Sequence, residues 1–391
     1  MGARAMTGKY ADRVAIIGVG QTPYQKRSQK TVHRVLWEAF DAALRSAGLP
    51  MRRVDGLAVT AFVLPPDNVT TVAEHFGLEP RWLFQGLYGG ASGIISMLHA
   101  ARAIQAGDAD VVACLTADVF DVASHMDLMD RFNAPVRDYL GPYGFGGPNG
   151  IFALHTRLYM ERHGARREDF GKLVIAQRAN ALLNPNALFK VPLSMNDYLN
   201  ARLIAEPLRL YDCVLPCTGG DCVILARPDL APRGGPQVRL LAGGEMHNFP
   251  VEDVFALRGG WERFRDRMWA NAGYGPAEMD FVQLYDDYPV MEFVQLEGLG
   301  YAPFGGAVDL IRKRDTTVRG DLPINTGGGQ LSAGQAGASG GMIGVVEAVQ
   351  QLRGEAGARQ LPARRGLVAG YGMVAYGRGL SCSAAVLGLE D

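Results

Sequence analysis

The chain contains no run of eighteen apolar residues, which excludes a membrane-spanning helix. It has almost no net charge, with 39 Lys and Arg against 40 Asp and Glu, so it offers no basic footprint for nucleic acid. It has only five cysteines, Cys114, Cys213, Cys217, Cys222 and Cys382, an odd number without paired spacing. Reduced thiols are therefore expected. Cys213, Cys217 and Cys222 are close in sequence, but no nearby histidine completes a metal set. The run from Cys222 to Ala226 reads as a buried strand, so no metal is expected. The seven histidines end at His247, which leaves the last 144 residues with none. Met1 to Tyr10 shows no apolar h-region, and a cytoplasmic location is the expectation.

What is present is an ordinary globular balance, 48% apolar and 20% charged, over 391 residues. That length fits two domains better than one simple core. The 50 glycines gather in short motifs rather than repeats, which points to close backbone approaches and not to disorder.

The chain repeats itself. Gly90-Ala-Ser-Gly93 opens a segment that closes at Gly107, and Gly337-Ala-Ser-Gly340 opens one that closes at Gly354. Both carry a helical apolar stripe, with Ile343, Val346 and Val349 in the second. Ala47 precedes Asp55 by the same interval as Ala272 precedes Asp280, and each Asp leads into a strand, at Leu57 and at Phe281. Each half ends in a Gly-rich turn and an apolar strand, from Thr218 and from Gly379. Such long-period similarity implies a duplicated domain.

Strands alternate with helices, which implies α/β layers. The first strand starts at Val14. An amphipathic helix follows, with apolar residues at Val32, Val35, Leu36, Ala39, Phe40, Ala43, Leu44 and Ala47, capped by Gly48. The halves are expected at 1–232 and 233–391, divided in the Pro-, Arg- and Gly-rich stretch from Pro228 to Pro236. The first half holds an insertion at about 120–205. It begins with loop from Ser124 to Asp138 and from Gly141 to Gly150, followed by helices near Ile151–Arg162 and Arg167–Ala181.

The segments Val14 to Pro23, Gly89 to Gly93 with Gly107 to Val112, Ala205 to Cys213, Tyr285-Asp286-Asp287-Tyr288, and Asn325 to Gln335 together resemble the thiolase superfamily over nearly the whole chain. The likeness is specifically to sterol-carrier-protein-type thiolases and lipid-transfer-like proteins. It implies a thiolase fold, a five-layered αβαβα arrangement, in a tight homodimer. In catalytic members a cysteine sits at the N-terminus of the buried helix of the first half, where the helix dipole favours a thiolate. The matching residue here is Gly90. The family's histidine, in a Gly-His-Pro motif, matches Gln335 in Gly334-Gln335-Ala336. Glutamine cannot take a proton at neutral pH. The motif typified by His-Asp-Ala-Phe reads Tyr285-Asp286-Asp287-Tyr288. The final Gly-rich loop, where true thiolases carry a second cysteine, runs from Gly372 to Gly379, and Cys382 beyond it reads as a core residue.

Acyl-cysteine chemistry is therefore excluded, whereas enolate chemistry is not. That needs a base and donors for a thioester oxygen. The base candidates are Tyr285, Asp286 and Tyr288. The donor candidates are the N–H groups of Gly90 and Ala91, the Gln335 amide, and the N–H groups of Gly377 and Gly379, with Asn325 shaping the backbone nearby. The resemblance includes retro-aldolases that shorten steroid side chains, lack the cysteine and work with a zinc-ribbon/OB-fold partner. The leading expectation is C–C bond chemistry on an acyl-CoA thioester, with coenzyme A entering as substrate and no resident cofactor. Two alternatives stand beside it. One is an acyltransferase with an unusual nucleophile such as Ser92, and the other is a non-catalytic acyl-CoA or lipid-binding subunit. Gly18-Val-Gly20 is not a dinucleotide fingerprint, since the third glycine is absent and Pro23 follows.

Overall fold

The structure, a computed structural model, describes residues 14–130, 132–144, 147–231, 236–253 and 255–389. Met1 to Tyr10, and residues 232–235 of the expected boundary, lie outside them. The strands are β1 (Ala15–Gln21), β2 (Gly56–Thr60), β3 (Trp82–Gln85), β4 (Val111–Asp118), β5 (Leu203–Ala205), β6 (Leu208–Arg209), β7 (Gly219–Ala226), β8 (Val238–His247), β9 (Phe281–Gln283), β10 (Arg365–Ala375) and β11 (Arg378–Leu389). The helices of the first half are α1 (Val32–Ala47), α2 (Val69–Phe76), α3 (Ser92–Ala106), α4 (Val122–Asp130), α5 (Gly147–His163), α6 (Arg167–Leu182) and α7 (Met195–Asn200). Those of the second are α8 (Arg265–Ala272), α9 (Pro289–Gly298), α10 (Ala307–Lys313), α11 (Gly329–Ala333) and α12 (Ile343–Arg353).

Nine strands form one sheet in the order β3-β2-β4-β7-β1-β8-β11-β10-β9. Its two runs repeat each other. β2 is parallel to β4, β4 antiparallel to β7, and β7 antiparallel to β1. β9, β10, β11 and β8 follow the same sequence of directions. Among the described residues the runs pair where Ala15 and Ile16 meet Arg239 and Val238. α3 and α12 lie between them, and each packs on strands of both. α1 and α2 cover the outer face of the first run, and α8 packs on β8 and β11 of the second. This is the five-layered, duplicated α/β arrangement.

Local chemistry explains the repeat. Asp55 accepts hydrogen bonds from the N–H groups of Asp110 and Val111 at the start of β4 (2.9 and 2.8 Å). Asp280 accepts from Arg364 and Arg365 at the start of β10 (2.7 and 2.9 Å). Each half thus uses one carboxylate to tie two parallel strands at their entry. In α1 the buried residues are the eight of the apolar stripe, and Gly48 ends the helix at φ 60°. Gly18 and Gly20 let that helix lie on β1: a Cβ on Gly20 would stand 2.2 Å from the Ala39 carbonyl oxygen. Their role is packing.

The insertion is more helical than its composition suggests. α4 occupies part of the stretch expected as loop, and α5 begins at Gly147. Pro148 sits in its first turn, where a missing N–H costs nothing. The two expected helices are α5 and α6. Cys382 is a fully buried core residue of β11. Among the described residues no helix is long and apolar enough to cross a membrane.

Candidate active site

The two Gly-Ala-Ser-Gly turns meet at the centre of the molecule. A Cβ on Gly93 would lie 2.3 Å from the Gly341 carbonyl oxygen, and one on Gly341 would lie 2.6 Å from that of Gly90. Only glycine backbones approach this closely. Buried Asp118, at the end of β4, holds the second turn by accepting from the Ala338 N–H at 2.7 Å. Thr116 and Ser339 share a hydroxyl–hydroxyl bond of 2.9 Å.

The segment after β9 brings side chains to this junction. Its backbone is pinned on three sides. Gln295 of α9 accepts from the Tyr285 N–H (3.0 Å) and donates to its carbonyl (2.6 Å). Asn325, at φ 48°, accepts from the Leu284 N–H at 2.7 Å. Asp286 accepts from the Gln330 and Leu331 N–H groups (2.8 and 3.1 Å), which satisfies the first turn of α11. Asp286 is therefore committed to α11, and burial pushes its carboxyl up to about 7 against the pull of those two amides. Tyr285, Asp287 and Tyr288 line a common cavity.

Tyr285 occupies the place a side chain at residue 90 would need. A Cβ built on Gly90 would stand 1.8 Å from Tyr285 Cε2 and 2.2 Å from Cζ. The Tyr285 hydroxyl lies beside the Asp287 carboxylate, and both residues line one cavity. Asp287 Oδ1 also accepts from Gln335 Nε2 at 2.9 Å. Burial raises the tyrosine well above its usual range, and the adjacent Asp287 charge adds to the effect. Burial likewise pushes Asp287 up to about 6, opposed by its bonds to Tyr285 and Gln335. These groups line a cavity of about 640 Å³ counting its open mouth. Its other walls are mainly apolar and include Phe62, Met129 and Phe132. Tyr288 closes one side, with its hydroxyl donating to Asn149 Oδ1 of α5 (2.7 Å) and its ring stacked on Phe152 at 4.3 Å. The insertion thus builds part of the cavity.

Tyr285, Tyr288, Gln335 and Gly90 are brought together. Asp286, Asn325, Ala91 and Ser92 are not in the cavity wall. The Ser92 hydroxyl is fully buried and accepts from the Tyr88 N–H at 2.9 Å, a donor in the turn that leads into α3. The Ala91 carbonyl accepts from Ser383 Oγ (3.2 Å). Gly377 lies in the turn between β10 and β11, and the Gly379 N–H is taken by the Tyr371 hydroxyl. Neither glycine lines the cavity. The hairpin contributes Tyr371, Gly372, Met373 and Val374 instead. Among the described residues no cysteine lines the cavity. Sequence reasoning passed over Asp287, His125 and Met373. The one signal for Asp287 was its place inside the Tyr285-Asp286-Asp287-Tyr288 cluster. His125, whose imidazole burial pushes down to about 4, and Met373, at φ 55°, carried no local sign.

Residues 258–384 match the family described as thiolase C-terminal domain-like. The chain is 34% identical over 361 residues to 17-hydroxy-3-oxo-4-pregnene-20-carboxyl-CoA lyase of Mycobacterium tuberculosis, covering 88% of this chain and 92% of that one. It belongs to the thiolase superfamily. Its branch is that of sterol-carrier-protein-type thiolases and their aldolase relatives. A steroid side-chain-cleaving aldolase of Thermomonospora curvata is 32% identical, over 87% of this chain and 90% of that one. A solved structure described as Ltp2-ChsH2(DUF35) aldolase superposes with a TM-score of 0.83 at 28% identity, covering 97% of this chain and 98% of that one. At Gly90, the position the resemblance sets against the cysteine, the Tyr285 ring fills the space a Cβ would need, and at Gln335, the one it sets against the histidine, the amide donates to Asp287.

Proposed function

We propose that this chain cleaves the Cα–Cβ bond of a β-hydroxyacyl-CoA thioester by a retro-aldol reaction. The two halves, 1–232 and 233–391, each bring one helix tip to the site. The observation that carries the reading is the Tyr285 ring lodged where residue 90 would otherwise project, with the half-buried Asp287 carboxylate beside its hydroxyl. A proton-transfer group thus stands in the place of a nucleophile. In the reaction the β-hydroxyl loses its proton to the Tyr285 oxygen and its C–O bond becomes a carbonyl. The Cα–Cβ bond breaks, and its electron pair passes to the thioester as an enolate. Protonation at Cα then yields a shortened acyl-CoA and a ketone or aldehyde. The donor we assign to the enolate oxygen is the Gly90 N–H, at the tip leading into α3 and in the cavity lining. The apolar walls suit the departing carbonyl fragment.

The relatives' names support the chemistry: one is a CoA-ester lyase and another a steroid side-chain-cleaving aldolase. A steroid-type fragment is accordingly the substrate class we favour. The structure described as Ltp2-ChsH2(DUF35) aldolase supports a complex with a partner subunit, and the kind that the resemblance implies is a zinc-ribbon/OB-fold protein. A homodimer in the cytoplasm completes the proposal, in keeping with five free cysteines. The test is Tyr285→Phe assayed on β-hydroxyacyl-CoA cleavage. A fall in kcat of about 10²–10⁴-fold is expected, and turnover equal to the parent's removes the tyrosine from the reaction.

A further inference from the structure

The tyrosine cannot serve as the proton's final acceptor. Its hydroxyl is buried beside a negative charge, and no lysine or arginine lines the cavity among the described residues. Phenolate formation there has no compensating cation. The acceptor must lie behind it, and one group has the geometry. The Asp287 carboxylate, half-buried, lines the same cavity as the Tyr285 hydroxyl beside it and accepts from Gln335 Nε2 at 2.9 Å. The amide's orientation follows from chemistry, because a carboxylate only accepts. Gln335 is anchored in turn by its backbone, whose N–H donates to the Leu215 carbonyl and whose carbonyl accepts from the Cys217 N–H, both at 2.9 Å.

We propose that Asp287 is the proton reservoir of the retro-aldol reaction, positioned by Gln335 and acting through Tyr285. This rests on the cleavage reading above. As the β-hydroxyl proton moves to the Tyr285 oxygen, the tyrosine's own proton moves to an Asp287 oxygen. No net charge develops on the ring. After the C–C bond breaks, the same relay runs backward: Asp287 returns its proton to Tyr285, and Tyr285 delivers one to Cα. The couple ends as it began, and neither water nor an oxidant is consumed.

The groups facing Asp287 are Tyr285 and Gln335, with Tyr288, Cys213 and Asp286 near enough for charge effects and His125 across the cavity. His125 is held neutral by burial and does not titrate in the working range. Asp286 is tied to two amides of α11. The relay needs Asp287 ionised, so cleavage weakens as the carboxyl protonates below about pH 6.

The test compares kcat/KM against pH for the full chain and for Asp287→Asn and Asp287→Glu, with cleavage followed in mixtures of H₂O and D₂O. The parent should lose activity tenfold per pH unit below about 6 and give a curved dependence on deuterium fraction, as two moving protons require. Asp287→Asn should lose at least about a hundredfold, lose the acidic limb and give a linear dependence. Asp287→Glu should regain part of the rate together with the limb. Thermal unfolding and binding of a β-deoxyacyl-CoA show whether the variants fold and retain the site. An Asp287→Asn protein that folds, binds and keeps the parent's limb overturns the relay while leaving the cleavage reading intact. A parent that cleaves no β-hydroxyacyl-CoA overturns the cleavage reading. In that case infrared titration of the carboxyl stretch, parent minus Asp287→Asn, still reads the proton site, and the absence of a carboxyl titrating near pH 6 overturns the relay as well.

Discussion

Alanine at residue 90 is a small change with a large expected effect. A Cβ there stands 1.8 Å from Tyr285 Cε2 and 2.2 Å from Cζ. Carbon atoms in contact need about 3.5–4.0 Å, so the ring must retreat by roughly 1.5–2 Å. It has little freedom to do so, because Gln295 clamps the Tyr285 backbone on both sides and Asn325 holds the residue before it. Overpacking of this kind costs about 1–3 kcal/mol, visible as a lowered Tm by circular dichroism. A displacement of about 1 Å costs on the order of 100-fold in rate, and the displaced group here is the hydroxyl assigned to proton transfer. Gly90→Ala should therefore lower both Tm and kcat. Adding Tyr285→Ala should relieve the clash and show a coupling of about 0.5–3 kcal/mol in the double-mutant cycle, without restoring turnover. Gly90→Cys should behave like alanine and gain no acyl-enzyme. A Gly90→Ala protein with the parent's Tm and turnover would mean that the tyrosine does not occupy that space.

Asp286→Ala leaves two buried N–H groups of α11 without acceptors and should cost about 1–3 kcal/mol for each, with a thermal melt as the measurement. Ser92→Ala should lower Tm slightly while cleavage continues within a few-fold, and mass spectrometry after incubation with acyl-CoA should find no adduct at residue 92 in the parent. Gly20→Ala drives a methyl into the Ala39 carbonyl, 2.2 Å away, and should destabilise by about 1–3 kcal/mol through the α1–β1 contact. Asp221 is raised to about 7 by burial, while its bonds from Tyr24 (2.6 Å) and Gln21 (2.7 Å) oppose the rise. The folded state therefore binds this proton near neutrality and the unfolded state only near pH 4. This site makes the fold more stable as pH falls from about 7 towards 4 and less stable above 7. Asp221→Asn should remove that share, narrowing the Tm difference between pH 8 and pH 5.5.

Much of the architecture was legible because its signals are local. The stripe on α1 names the buried face of that helix residue by residue, and the paired Gly-Ala-Ser-Gly turns and paired aspartates mark the duplication. The insertion was less legible. Gly and Pro from residue 141 onward read as loop, yet Gly147 and Pro148 form the first turn of a helix that buries Phe152 and Tyr159. Composition reports turn preference, whereas burial against α9 decides the outcome.

The sequence by itself determined what the chemistry lacks: no cysteine at residue 90, no histidine beyond residue 247, and tyrosines and carboxylates clustered from 285 to 288. Which of those carboxylates faces the cavity was decided only by the tertiary structure. Asp286 and Asp287 are chemically identical neighbours, and one caps a helix while the other meets Tyr285 and Gln335. Their difference arises from residues about 40 to 50 positions further along the chain, brought close by packing. Pairing across such distances depends on how whole elements fit together, and no short-range pattern encodes it.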